Sequence, residues 1–223
     1  MKPNLWLLGL TLAGVLTLSG CKPDELEFTV YSSDLEQAEK GELVEVPLTA
    51  RFSMVGKDEK GVLQQARELA KQWLPEDSRF EVTAAQFGDK LSVETKIPMI
   101  AKSKAQEVIQ AKRPVLYLEV DQGVATLRRT QHLDVLGREL RRINAMLGVS
   151  LPARSTIISL VGERPPKSMV VEATAVFVND RAVLHMREPV VNRRTLNIRF
   201  SGQDGSVYKD YERVPPSFRL SGG

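Results

Sequence analysis

Histidine is scarce in this chain, with two among 223 residues, and cysteine occurs once. A Ser-His-Asp or Cys-His relay, or a histidine-rich metal cluster, would therefore have to use His132 or His185. Neither stands in a supporting pattern. His132 falls in the first turn of an expected helix, and His185 alternates with Val183 and Arg187 on the polar side of an expected strand. The chain also has no H-E-x-x-H, no G-x-S-x-G, no glycine-rich phosphate loop and no calcium-loop pattern. We read it as a protein without catalytic activity, metal or cofactor. A pair of carboxylates is the catalytic arrangement that spacing leaves open, because a glycosidase needs only two at the right separation. An aromatic content of 6% offers little to line a sugar-stacking cleft.

Long apolar runs are missing too. The stretch Leu5 to Leu16 falls short of the ~20 residues that span a bilayer. There is no repeat of solenoid period, no low-complexity tract, and no linker-like stretch near Gly123. What remains is the composition of a folded globular protein, 42% hydrophobic and 26% charged, with a net charge of +3. The charge is unevenly spread: Lys22 to Lys60 holds ten acidic and five basic residues, and Arg181 to the end holds eight basic and four acidic. A solvated surface is the plain reading of that asymmetry, with attraction of an acidic partner as the alternative.

Lys2, the apolar run behind it and the small residues that follow have the layout of a cleaved secretory signal. Leu18, Ser19, Gly20 and Cys21 resemble the lipobox of bacterial lipoproteins, Leu-(Ala/Ser)-(Gly/Ala)-Cys. The resemblance covers only the signal end of the chain. It implies cleavage between Gly20 and Cys21, transfer of a diacylglyceryl group to the Cys21 thiol, and acylation of the new amino terminus. Two or more acyl chains, at about 0.8 kcal/mol per buried methylene, make release from a membrane slow. In enterobacteria-like lipoproteins a residue other than Asp after the cysteine, here Lys22, implies the outer membrane, with the protein facing the periplasm. An acylated Cys21 leaves no thiol to oxidise in the envelope, so stability must come from burial.

The expected organisation is a signal peptide over 1–20, a lipidated start and short tether over 21–25, and folded chain from residue 26. Leu26 to Tyr31 reads as a strand and Ser32 to Gly41 as a turn-like segment. From Leu43 the alternation is clean, with Val44, Val46, Leu48, Ala50, Phe52 and Met54 on one side and Glu45, Pro47, Thr49, Arg51 and Ser53 on the other, which predicts a half-buried strand. Pro47 cannot donate to a ladder, so an edge position or a bulge is expected there. Asp58 to Leu74 carries Val62, Ala66, Leu69 and Trp73 at helical spacing, with Trp73 read as core. Two strands with Phe80, Val82, Ala84 and then Leu91, Val93, Ile97, Met99 inward follow, joined by a hairpin at Gly88 and Asp89. A short helix with Ser103 and Gln106 as a capping box, and a strand from Pro114 to Val120, complete the series.

The order strand, helix, strand, strand, helix, strand predicts an α+β fold, with a ferredoxin-like split β-α-β-β-α-β unit over 26–122. Its open face lacks the several aromatics on which RNA-binding domains of this shape stack bases, so no nucleic acid is expected as a partner. A second helix-plus-antiparallel-sheet unit is expected over 123–214. It has a helix from Gln131 to Leu147 capped by Gly148, strands at 156–161, 169–178, 182–186 and 195–200, a possible last strand at 207–211, and a loose tail over 215–223. Along the helix, Asp134 can pair with Arg138 and Glu139 with Arg142. Arg138, Arg141 and Arg142, together with Arg193, Arg194 and Arg199, form the basic surface available to an acidic ligand. These features predict a membrane-anchored, periplasm-facing envelope lipoprotein that meets a protein partner in assembly, scaffolding or exclusion. Peptidoglycan, glycan or small-ligand binding is the alternative, followed by a carboxylate-dependent hydrolase.

Overall fold

Alternating sequence becomes alternating burial along the strand that begins after the first helix. In the computed structural model of the protein, the described residues are 24–53, 61–85, 88–144, 147, 153, 155–163, 169–178, 181–190, 194–201 and 217–222. β1 (Glu25–Tyr31) leads through α1 (Ser32–Glu39) into β2 (Val44–Ser53). Val46, Leu48 and Ala50 of β2 are buried while Glu45, Pro47 and Arg51 are exposed, as the period of two requires. Met54 lies outside the described residues. β2 is not an edge strand, however, because β1 pairs on one side and β4 on the other. Its proline is tolerated because the β1 ladder stops at Leu48, so the missing N–H at Pro47 breaks no bond on that side.

α2 (Val62–Ala70) is followed by β3 (Arg79–Ala85), β4 (Gly88–Ala101), α3 (Lys102–Lys112) and β5 (Leu116–Asp121). β6 (Val124–Arg129), α4 (Gln131–Ile143), β7 (Ser155–Val161), β8 (Met169–Val178), β9 (Arg181–Val190), β10 (Thr195–Ser201) and β11 (Ser217–Gly222) complete the described chain. The expected run of strand, helix, strand, strand, helix, strand is present as β2 to β5, but the ferredoxin-like α+β fold is not. That arrangement would place β5 antiparallel beside β2. Here β1 occupies that edge of β2, and β5 runs parallel to β4 with Met99 opposite Leu118.

The pairings proceed β10, β7, β1, β2, β4, β5, β6, β11, β8 and return from β8 to β10, so the eleven-stranded sheet closes into a mixed β-barrel. β3 and β9 add to the ring as arms on β4 and β8. Residues assigned to the two expected units share this one sheet: β1 pairs with β7 in parallel, Glu25 opposite Ser155, and β5 turns directly into β6. That turn is Gln122 and Gly123, both at positive φ (51° and 76°), the backbone a two-residue hairpin needs. The segment 217–222, read from sequence as part of a loose tail, is the strand that bridges β6 and β8. The expected strand at 207–211 lies outside the described residues.

The core fills the barrel. Phe28, Met99, Leu118, Ile158, Ile198, Val171, Val176 and Phe218 are all under 2% exposed and share one cluster with Leu35 and Ala38 of α1, Ala66 of α2 and Leu133, Leu136 and Leu140 of α4. α3 packs on the opposite face of the sheet, where Ala105 meets Ile100 and Tyr117. α1, expected as a turn, is a helix because Leu35 and Ala38 reach the core and its first N–H groups find acceptors. Asp34 takes the Tyr31 N–H at 2.8 Å, and Glu163 takes the Ser33 N–H at 2.8 Å from 130 residues away. Burial raises the Asp34 carboxyl above its ordinary range against the opposing Tyr31 hydrogen bond, and the Glu163 charge adds to the rise.

Four local expectations are corrected. The β3–β4 hairpin forms, but Gly88 and Asp89 pair with Ala85 and Ala84 within its ladder rather than making its turn. Val82 and Ala84 point to solvent, Val82 at 50% exposure, because β3 stands outside the ring. α3 starts at Lys102 with Ala101 as N-cap and no side-chain cap, so Ser103 and Gln106 make no capping box. α4 ends at Ile143 with Asn144 extended, before the expected Gly148 cap. No described helix is long and apolar enough to cross a membrane.

Candidate functional site

A hollow with a polar rim forms where α2, α4 and the start of β5 meet. α4 is set there by Thr130, a buried N-cap whose Oγ1 accepts the His132 N–H at 3.1 Å and donates to the Pro114 carbonyl at 2.6 Å. The Thr130 N–H also donates to the Val115 carbonyl at 3.1 Å. This ties the first turn of α4 to the strand beside it, so His132 and Glu139 face the turn after α2.

Trp73 lies in that turn. It is half-buried and packs against the edge of the core: its Nε1–H donates to Glu139 Oε2 at 3.0 Å, and its ring lies 6.1 Å from that of His132 at 40°. Helical spacing identified Trp73 as apolar-facing, while the bond to Glu139, 66 residues away, has no signature in sequence. Glu139 was expected to pair with Arg142 and Asp134 with Arg138. Glu139 instead holds Trp73, and Asp134 lies 3.9 Å from Arg129.

A cleft of about 590 Å³ opens beside Trp73, floored by Leu74, Val115 and Leu116 and rimmed by Glu45, Lys96, Lys112, Arg113 and Glu139. Lys96 donates to Asp77 at 2.6 Å and lies 4.0 Å from Glu45, which also takes the Lys112 ammonium at 3.3 Å. The hydrogen bond from Lys96 lowers the Asp77 carboxyl, and the same bond raises the Lys96 ammonium. Both side chains are exposed at the surface, so the network orients side chains more than it stabilises the fold. Arg113 ends α3 in the left-handed region, φ 50°. The following Pro114 disfavours helical backbone at this residue, which helps to stop the helix and turn the chain toward β5. The volume lies in the range of small-ligand sites, and an apolar floor with charges of both signs on the rim suits a peptide segment or a polar small molecule.

The sequence-derived basic residues are divided between elements. Arg138, Arg141 and Arg142 are exposed on α4, whereas Arg194 is exposed just before β10 and Arg199 lies within it. The Arg199 guanidinium sits 4.7 Å from the Phe177 ring centroid, a cation–π contact between neighbouring strands. Arg193, Gly20 and Cys21 lie outside the described residues. His185 is exposed on β9. Among the described residues no three of His, Cys, Asp and Glu gather where they could hold a metal ion. A comparison with protein-family models finds no match, and a comparison with curated proteins likewise finds none.

Proposed function

We propose that the protein is a non-catalytic envelope lipoprotein, held at the periplasmic face of the outer membrane by acyl chains on Cys21, whose barrel engages an envelope protein through the Trp73 cleft. The observation that carries this reading is the shortness of the tether. β1 begins at Glu25, so the link from Cys21 is at most about 14 Å of extended chain. A barrel anchored that closely meets proteins of its own membrane first. The cleft supports such an encounter through its apolar floor, its rim of Glu45, Lys96 and Lys112, and the indole of Trp73 at its side.

The test is photo-cross-linking in cells. A photo-reactive residue in place of Gln72, on the cleft, is expected to capture one envelope protein as a discrete adduct that disappears in the Cys21→Ser variant. The same residue in place of Thr83, exposed on β3, is expected to capture none. Equal capture from both positions, or an undiminished adduct without the anchor, contradicts the reading.

Binding of a peptidoglycan fragment is the second reading, favoured by one indole and two carboxylates, Glu45 and Glu139, sharing a cleft. The arginines of α4, with Arg194 and Arg199, supply basic surface for it. Sedimentation with isolated sacculi that is unchanged in Trp73→Ala would remove the cleft from that reading.

A further inference from the structure

The strands beside the tether share one end. Glu25, where β1 begins, stands opposite Arg51, Arg51 opposite Ser92, and Ser92 opposite Glu81 across β2, β4 and β3. β2 stops at Ser53, but the β3–β4 pairing continues from the Glu81 row to Ala85 and Gly88. That is about 13 Å further at the rise of a strand. The hairpin arm therefore projects from the barrel on the side where the chain leaves for Cys21. The link from Cys21 to Glu25 reaches about 14 Å at full extension, so an anchor at Cys21 and the end of the arm can stand at the same level.

One face of the arm is apolar. Phe52, Leu91 and Val82 stand opposite one another in a row across β2, β4 and β3, and Ala84 follows Val82 toward the end of the arm. Side chains two apart on a strand share a face, so this surface continues the inner face of the barrel, where Val93 is buried opposite Phe80. It emerges from the core by degrees. Phe80, Phe52 and Leu91 are half-buried, Val82 is 50% exposed and Ala84 is exposed. Over 79–85 and 88–91 the charges cancel, Arg79 and Lys90 against Glu81 and Asp89. The arm thus offers an anionic surface little attraction, and its chemistry suits an apolar phase.

We propose that the β3–β4 arm rests on the lipid leaflet that holds the anchor, with Val82 and Ala84 entering the boundary between headgroups and acyl chains. The inference depends on the proposed acylation of Cys21 and adds an orientation to it, since a barrel held at two points cannot swing freely on its tether. So few apolar side chains bind lipid weakly by themselves. The anchor removes that difficulty, because a short link makes the second contact intramolecular, at an effective concentration of about millimolar.

The experiment uses the full lipidated protein, extracted from membranes and reconstituted into phosphatidylcholine vesicles with and without phosphatidylglycerol. Val82→Cys and, at the opposite end of β1 and β2, Lys40→Cys each supply one thiol for an environment-sensitive fluorophore once Cys21 is acylated. Flotation of the protein with the vesicles reads the anchor, and quenching by a lipid with a nitroxide high on its acyl chain reads the arm. The Val82 probe is expected to be quenched at least twofold more than the Lys40 probe, in both lipid compositions and at high salt. A probe at Ala84→Cys is expected to be quenched likewise and to lose that quenching when Val82→Glu is added, with flotation unchanged. Val82 is exposed, so the melting temperature of Val82→Glu should match the parent. Flotation with equal quenching at residues 82 and 40 overturns the inference and leaves the anchor standing. Quenching at residue 84 that survives Val82→Glu, or that requires phosphatidylglycerol, also overturns it. A protein that does not float overturns the anchor and the inference together.

Discussion

β2 and β9 are both ten-residue strands, yet they fare differently. Along β2 each inward residue from Val46 to Ala50 is buried, whereas β9 buries Met186 and leaves Leu184, on the same side two residues earlier, 72% exposed. The difference is position. β2 is paired on both edges within the closed ring, while β9 pairs with β8 alone among the described strands. Closure brings opposite walls of the barrel and three helices over the inner face of a ring strand, and an arm outside the ring has no such cover. Alternation states which side can be buried, and topology decides whether it is.

The largest break in that comparison comes from opening the ring. A chain ending at Pro216 lacks β11, leaves the facing edges of β6 and β8 unpaired and removes the fully buried Phe218. It is expected to lose its cooperative thermal transition by circular dichroism. A cooperative transition near that of the full chain would show that the barrel does not depend on β11.

Single side chains should separate ring from arm next. Phe28 is 0% exposed in β1, so Phe28→Ala should cost about 3–5 kcal/mol in urea unfolding. Leu184→Ala on β9 should stay within about 0.5 kcal/mol, as surface substitutions do. Comparable costs would mean that β9 is covered in solution. Thr130→Ala, which removes both the α4 cap and the hydroxyl bond to Pro114, should cost about 1–2 kcal/mol. It should also redden Trp73 emission as the α4 contact loosens, and an unchanged spectrum would dissociate the cap from the cleft.

The smallest expected effect concerns α1. Burial raises the Asp34 carboxyl, so its protonated form is favoured by folding. Its contribution to stability is complete below the ordinary value of 3.8 and is lost as pH rises through the folded value. Asp34→Asn keeps an oxygen for the Tyr31 N–H and cannot ionise. Its melting temperature relative to the parent should therefore be more favourable at pH 7 than at pH 3, and the opposite ordering would contradict the burial argument.

Local features of this fold were legible in sequence where one element is enough to reveal them. The alternation at 44–53 and the helical spacing around Ala66 and Leu136 each carry their signal within a dozen residues. Closure carries none. Parallel pairing of β1 with β7 joins Glu25 to Ser155, and a residue pattern on either strand fits many partners. α1 was missed for a related reason, since Glu163 caps it from beyond β7. β11 was missed because its flanking prolines and terminal glycines resemble a tail, while its strand character depends on β6 and β8 lying ready on both sides. The site follows the same rule. Trp73 and Glu139 are each ordinary helix-face residues until α2 and α4 pack together.

An acyl anchor at Cys21, as proposed, would keep the barrel and its cleft beside a membrane. Intact-mass analysis of the protein extracted from membranes, with sequencing of its N-terminal peptide, tests this most directly. The expected result is a chain beginning at Cys21, heavier than its sequence by a diacylglyceryl group and an amide-linked acyl chain. A chain that retains residues 1–20, or one with an unmodified thiol at Cys21, would contradict it.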